Sequence, residues 1–263
     1  MIEREKYLEM ARMSMKEKIS SPDLLISQTV ATISELDRCI NVLYEKLAEW
    51  YGLYFPELKL SDMRTYCQVV IKFDRKKQNV ASILSVVGEK NAEVVVSKAK
   101  TSAGADFSDD DLEEVRKLAR HVLELYELRD EIEKYQASLA RKFYPNLSYL
   151  LEPALAAKMV SLAGSLRKLA LLPASTIQVM GATKALFKHL KTGSKPPKHG
   201  VIFQHPSISG APRKLRGKIA RALASKIAIA ARADAFTGAQ IGKKLKEEFE
   251  RRVGEIRGGS RRE

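Results

Sequence analysis

Between Pro153 and Ala233 the chain has no aspartate and no glutamate, yet it carries 15 lysines and arginines there. Glu152 and Asp234 bracket the gap. A soluble surface normally mixes both signs. The absence excludes paired carboxylates for general acid–base work and carboxylate ligands for Mg²⁺ on this segment. It suggests that the segment meets a polyanion. The imbalance is local. Residues 151–263 hold 23 Lys/Arg against 7 Asp/Glu, whereas residues 1–150 hold 23 against 25. A strongly basic half beside a near-neutral half is the footprint of a nucleic-acid-binding domain. A generically basic solvated face, or a membrane-surface domain, is the other reading that composition leaves open.

Cysteine is almost absent as well. Cys39 and Cys67 match no zinc spacing and offer at most one disulfide. Both read as small buried apolar groups in a reducing compartment. No apolar run approaches the ~20 residues that a membrane helix needs, so no membrane partner is expected. Met1 to Met10 is charged and lacks the apolar core of a secretory signal. A cytosolic or nuclear location follows as an expectation. His189, His199 and His205 have no cysteine or acid between them, which is not a zinc pattern. The stretch from Gly210 to Gly217-Lys218-Ile219 has the wrong spacing for a phosphate loop, and Ile219 stands where Ser or Thr is needed. Neither a metal nor a cofactor is expected, and no enzyme is expected on this half. Aromatics are scarce too: Phe187 and Phe203 are the only ones from Pro153 to Ala233. Single-strand binders stack bases on aromatic platforms. This segment is therefore expected to read a folded backbone shape instead.

What the chain does have is helical periodicity. With 263 residues and 45% apolar content it can fill one large or two modest domains. Ile19, Ile26, Ile33, Ile40 and Leu47 recur every seven residues, with Leu36, Leu43 and Trp50 between them. This is a heptad seam. Pro22 interrupts it, so a helix restart at Ser21-Pro22-Asp23 is expected, with Ser21 as cap. The helix should end near Tyr51-Gly52, before Pro56. A second seam runs Leu118, Leu125, Ile132, Leu139, widened by Val115, Val122, Leu128 and Tyr135. Ser108-Asp109-Asp110-Asp111 caps it and Tyr144-Pro145 stops it. The fold class predicted is all-α. A long antiparallel hairpin pairs Asp23–Tyr51 with Asp111–Phe143, each helix about 45 Å long. Residues 1–145 form this coiled-coil domain, with a tip insertion at about 55–107. Residues 146–263 form a compact basic helical domain. The seams either bury only each other or also dimerise the chain, and periodicity does not choose.

In the second half Leu155, Met159, Leu162, Leu166 and Leu169 mark one buried helix face, ended by Pro173. Ser175 and Gln178 have the spacing of a capping box for the next helix. There Ile177, Met180, Phe187 and Leu190 point one way, and Lys184, Lys188 and Lys191 another. A loop from Thr192 to Gly200, with two prolines and two glycines, projects Lys195, Lys198 and His199. Val201 to His205 is strand-like or a buried turn. The last strong helix turns Leu215, Ile219, Leu223 and Ile227 inward and Lys214, Lys218, Arg221 and Arg232 outward. Three basic features thus present themselves, and several phosphate contacts would give salt-sensitive binding. The candidate contacts are Lys184, Lys188, His189, Lys191, Lys195, Lys198, His199, Gln204, His205, Lys214, Lys218 and Arg221. The candidate coil and dimer residues are Ile26, Ile33, Leu36, Ile40, Leu43, Leu47, Leu118, Leu125, Ile132 and Leu139.

The runs Leu162-Ala163-Gly164-Ser165-Leu166, Leu172 to Phe187 and Pro196-Pro197-Lys198-His199-Gly200-Val201-Ile202-Phe203-Gln204-His205-Pro206 resemble the Nop domain. Asp23-Leu24-Leu25-Ile26, Trp50 to Leu58 and Pro145-Asn146-Leu147 resemble that family's coiled-coil region. The likeness is strongest to the archaeal core scaffold of box C/D guide-RNA particles, then to its nucleolar counterparts and a spliceosomal relative. The resemblance implies a non-catalytic scaffold. It would dock on a kink-turn RNA held by a small ribosomal-type protein, and homodimerise through the coil. In the family a separate N-terminal domain recruits fibrillarin, the 2′-O-methyltransferase. That domain would precede Met1, so fibrillarin recruitment is not expected of this chain. The family's usual Gly-Ala-Glu-Lys is here Gly181-Ala182-Thr183-Lys184, which loses the acid and keeps the lysine. The competing expectation is a helical interaction protein that uses its basic half on another polyanion, or a splicing-type Nop scaffold.

Overall fold

The computed structural model describes residues 2–19 and 21–259. Every regular element among them is helical. In chain order these are α1 (Ile2–Ile19), α2 (Pro22–Tyr54), α3 (Met63–Lys72), α4 (Ala81–Val87), α5 (Glu89–Lys100), α6 (Asp109–Phe143) and α7 (Pro145–Leu151). There follow α8 (Pro153–Ala163), α9 (Leu166–Leu171), α10 (Ala174–Val179), α11 (Thr183–Thr192), α12 (Pro206–Ser209), α13 (Arg216–Arg232) and α14 (Gly242–Gly259). A 3₁₀ turn, Val201–Gln204, precedes α12, and a π turn, Ala233–Thr237, follows α13. The all-α class read from the sequence is what the fold shows. The chain divides into two compact units, one of residues 1–31 with 133–263, the other of residues 32–132.

The unit of residues 32–132 contains most of α2 and α6 with α3, α4 and α5. Ile40, Leu47, Tyr51, Tyr54 and Phe55 bury against Leu112, Val115, Ala119 and Val122. Arg129 donates from Nε to Asp37 at 2.9 Å. Low numbers on α2 meet high numbers on α6, which makes the pair antiparallel. α6 starts as the sequence indicates. Ser108 Oγ accepts from the Asp111 amide at 3.1 Å, and Asp111 Oδ2 accepts from the Ser108 amide at 3.0 Å. Trp50, assigned to the seam, is instead exposed, and Tyr51 is buried. α2 turns every 3.6 residues, so its buried stripe drifts off a strict seven-residue repeat. The stripe steps from Leu47 to Tyr51 and Tyr54, and the helix runs on to Tyr54 rather than stopping at Tyr51-Gly52.

The connector is three helices. Arg75 ties it together, almost completely buried, with its guanidinium 4.5 Å over the Tyr54 ring. It donates to Gly104 O at 2.8 Å, Ala105 O at 3.2 Å and Asp106 Oδ1 at 3.0 Å. Gly104 lies so close to α2 that a Cβ there would stand 2.0 Å from Tyr54 O. Cys67 is buried, and burial pushes its thiol up to about 12. Cys39 is exposed, contrary to the buried role read from the sequence.

The other unit holds the start of α2, the end of α6 and α7 to α14. Gln136 donates to Thr29 Oγ1 at 3.1 Å, and both are buried. Asp23 accepts from the Tyr144 hydroxyl at 2.5 Å and from the Leu166 amide at 3.0 Å, joining α2, the α6–α7 junction and α9. Ile19 belongs to α1, but its side chain is outside the described residues. The core centres on α13, whose Ile219, Leu223 and Ile227 are fully buried. Asn146 and Asp234 lock α7, the π turn and α14 together. Asp234 accepts from the Asn146 and Leu147 amides and from Asn146 Nδ2, at 3.0, 2.9 and 2.7 Å. Asn146 Oδ1 accepts from the Ile241 and Gly242 amides at 2.8 and 2.6 Å. The acid that closes the acid-free segment is thus enclosed in hydrogen bonds. Its burial raises the carboxyl above the ordinary aspartate value.

Candidate nucleic-acid interface

The sequence suggests one helix from Ser175 through Lys191, but the structure breaks it. Gly181 adopts φ +81°, and α10 and α11 lie on either side of it. Ser175 sits inside α10 rather than capping it, and no side chain caps that helix. Gln178 donates from Nε2 to Lys198 O at 2.7 Å instead. α11 buries nothing. Of the four residues expected to share one face, Phe187 and Leu190 are 59% and 69% exposed, whereas Ile177 is buried. The preceding helical run breaks similarly. Gly164, at φ +84°, ends α8 and Ser165 caps α9 through the Lys168 amide at 3.1 Å. Leu162, assigned to the buried face, is consequently 49% exposed.

The loop from Gly193 to Gly200 is fastened at both ends. Gly193, at φ +63°, donates to His189 O at 2.9 Å and closes α11. The His189 ring pairs through Nδ1 with Ser194 O. Gly200 donates to Gln178 O and Val201 to Met180 O, both at 2.8 Å. A Cβ on Gly200 would stand 1.9 Å from Met180 O, so only glycine fits. The loop also rests on α13: the Lys198 methylenes lie 3.5 to 3.8 Å from where a Cβ on Gly217 would be. The segment Val201–Gln204 is a 3₁₀ turn with Ile202 buried, which selects the buried turn over the strand.

A stack stands at the centre. His199 lies on Phe203, ring centroids 4.6 Å apart and planes 17° from parallel. The Arg216 guanidinium is 5.2 Å from the centroid of the same ring. Arg216 is held there by donating to Ala211 O at 2.9 Å and Ser209 O at 3.2 Å. Burial, then the charges of Arg216 and Lys198, hold the His199 imidazole below the ordinary histidine value. It is therefore neutral at physiological pH. His205 is lowered too, chiefly by burial. It caps α12 by accepting from the Ser207 amide at 3.2 Å and meets Phe249 edge-on.

Lys184, Lys188 and Lys191 are exposed on α11, Lys195 and Lys198 on the loop, and Lys214, Lys218 and Arg221 on or beside α13. Gln204 is exposed, and its Oε1 lies 3.5 Å from Lys158 Nζ. Among the described residues, the one ion pair made by a cation of residues 153–233 is Lys226 with Glu248. The other cations have no acid partner among the described residues, and all but Lys158 and Arg216 are exposed. Arg232, placed outward with them, donates to Ala170 O at 3.1 Å and closes α9. Arg216 and Lys158 escaped the sequence reading. Arg216 could have been found from the Arg213-Lys214-Leu215-Arg216 run, whereas nothing local marks Lys158. The named coil residues divide: Ile26, Ile40 and Leu47 are buried, while Ile33, Leu36, Leu43, Leu118, Leu125, Ile132 and Leu139 are half-buried.

Residues 32–255 match the Nop family model, described as snoRNA binding domain, fibrillarin. The chain is 44% identical over 252 residues to an uncharacterised NOP5 family protein of Methanocaldococcus jannaschii, a match covering 95% of this chain and 61% of the relative. It is 36% identical to nucleolar protein 56 of Dictyostelium discoideum, over 92% of this chain and 47% of the relative. The human nucleolar protein 56 is 35% identical, over 92% and 43%. The chain thus spans between 43% and 61% of these curated relatives. A solved fibrillarin/Nop5p complex is similar with TM-score 0.54 and 28% identity, over 97% of this chain and 78% of that one.

Proposed function

Because the chain belongs to the Nop family, we propose that it is a non-catalytic RNA-binding scaffold of a box C/D-type guide-RNA particle. Its basic half docks on a kink-turn RNA already held by a small ribosomal-type protein, and its coil pairs two copies. The particle's reaction is 2′-O-methylation, and the chemistry belongs to fibrillarin rather than to this chain. The functional division runs near residue 145, with the coil before it and the RNA-binding Nop domain after it. In an archaeon the setting is the cytoplasm; in a eukaryote it is the nucleolus.

The observation that carries this reading is the acid-free surface of α11, the 193–200 loop and the start of α13. Its cations are exposed and unpaired among the described residues. The loop is fastened to its two neighbours before any ligand arrives, so little ordering is needed on binding. The candidate contacts are the residues named from the sequence, with Arg216 and Lys158 added. The neutral state of His199 makes it a stacking or hydrogen-bonding group rather than a phosphate neutraliser.

The test is a binding assay with kink-turn RNA, with and without the small kink-turn-binding protein, in competition with duplex DNA and heparin. The RNA–protein complex should outcompete both polyanions. Equal displacement by all three would leave a basic helical protein without this specificity and overturn the reading.

A further inference from the structure

A half-open cleft of about 460 Å³ lies beside the stack, between α8, the α10–α11 break and the Val201–Gln204 turn. Leu162 and Val201 give it an apolar wall, His199 and Phe203 an aromatic one, and Gln204 and Lys158 stand in its lining. No acid lines it. Its size is within the ordinary range for small-ligand sites. Two glycines, Gly181 at the α10–α11 break and Gly200 at the end of the loop, lie in its lining. A Cβ on Gly181 would come within 3.4 Å of Leu162 and Val201, and Gly200 sits in the lining without a side chain.

We propose that this cleft takes one unstacked RNA nucleotide, its base inserted between Leu162 and the His199–Phe203 pair. The inference rests on the RNA-binding reading above and deepens it. The chemistry of each wall fits one part of a nucleotide. A base has two apolar faces, and the cleft offers an aliphatic surface and an aromatic surface. A base edge carries donors and acceptors. Gln204 has its Oε1 turned to Lys158 at 3.5 Å, which leaves its amide N–H groups to donate to that edge. A nucleotide carries a phosphate, and Lys158 is the cation at the rim, with Lys198 and Arg216 beside the stack. Phe203 is already covered by His199 and Arg216. It therefore acts through His199, holding the neutral imidazole flat as a prepared stacking surface. The exposure of Leu162 also acquires a reason: it is the wall of a site, not a fault in the core.

The experiment uses the whole chain and three probes: the kink-turn RNA with its small protein partner, short single-stranded oligonucleotides of A, C or U, and an RNA duplex. Ala182→Leu, at a half-buried lining position, adds bulk to the cleft without adding charge or an aromatic ring. It should weaken the single strands about tenfold, the loss of roughly one stacked base, and leave their salt dependence and duplex binding unchanged. Gln204→Ala should level the affinities for A, C and U. Circular dichroism is the control that both variants fold. If single strands and duplex bind Ala182→Leu as they bind the unaltered chain, the cleft is not a nucleotide site, while the scaffold reading stands on the kink-turn complex. If the unaltered chain binds no RNA in any form, both readings fall.

Discussion

The two units handle the same cations in opposite ways. In residues 32–132 every arginine has an acid partner within the unit: Arg38 with Glu35, Arg64 with Asp130, Arg75 with Asp106, Arg116 with Asp74, Arg120 with Glu113 and Arg129 with Asp37. Across the acid-free segment only Lys226 finds an acid among the described residues. The first pattern belongs to a self-contained structural module, where arginine charge is neutralised within the chain. The second leaves neutralisation to something outside. Net charge alone gives a sum; the comparison shows which cations are already committed. It implies that mutations in the two units should separate cleanly into loss of stability and loss of binding.

The hardest test of that separation is Arg75. Replacing it with Ala strips donors from the Gly104 and Ala105 carbonyls and empties the space over Tyr54. Unpairing the half-buried Gly104 carbonyl and opening a cavity where Arg75 was buried should cost about 2–4 kcal/mol. Urea unfolding and hydrogen exchange should report the loss in α3 to α5, while the salt slope of RNA binding stays unchanged. A changed slope would bring the 32–132 unit into the contact and break the comparison.

The reverse test is charge reversal at Lys188, Lys198 or Lys218, one on each basic feature. Each should lower affinity and reduce the salt slope by roughly 0.7–0.9, the value for one phosphate. Melting temperature should hold, since none of the three is in an ion pair among the described residues. Three unchanged slopes would remove this surface from the interface.

Glu152 sharpens the comparison from within the basic unit. It is not glycine, yet it holds φ 68° and ψ 151° between two helices that each begin with proline. Gly88 takes nearly the same conformation between α4 and α5. Such backbone costs an ordinary residue about 1–3 kcal/mol. Glu152→Gly should therefore stabilise the fold by about 1 kcal/mol in urea unfolding, relief being partly offset by the greater freedom of unfolded glycine. A loss of stability would show that the Glu152 side chain contributes more than its backbone costs.

How far the sequence reaches differs between these regions for physical reasons. α2 and α6, the Pro22 start, the Ser108 cap and the inward face of α13 are legible because large side chains recur at helical spacing beside strong stop and start residues. The α6 stripe is misjudged by one position. The leucines at 118, 125 and 139 are half-buried, whereas Ala119, Gln136 and Ala140 are fully inside. Close helix approach favours small residues and a paired polar one, which hydrophobicity does not select. Residues 55–107 read poorly because short helices bury few positions each, and Arg75 works through carbonyls that sequence does not display. On the binding side the basic features are visible, but the helical spacing runs through Gly164 and Gly181 and hides the breaks there. Hence Leu162 reads as buried, and Phe187 and Leu190 read as sharing a face with Ile177. The Arg216–Phe203–His199 stack joins three separate segments, and only the fold brings it together.

The smallest expected effect concerns pH. Burial, with Arg216 and Lys198 nearby, lowers His199; burial also lowers His205, against the opposing pull of Glu152 and Glu250. In the unfolded chain both imidazoles return to about 6.5. Between that value and the lowered folded values the unfolded state binds more protons. Stability from these groups is therefore complete above about 6.5 and is lost as pH falls through the lowered pKa values. His199→Gln should reduce the drop in melting temperature between neutral and mildly acidic buffer. At neutral pH it should leave the salt slope of RNA binding unchanged, because a neutral ring releases no counterion. If the slope falls by about one at neutral pH, His199 is charged in the complex, and the binding surface then holds one more committed cation than the free fold displays.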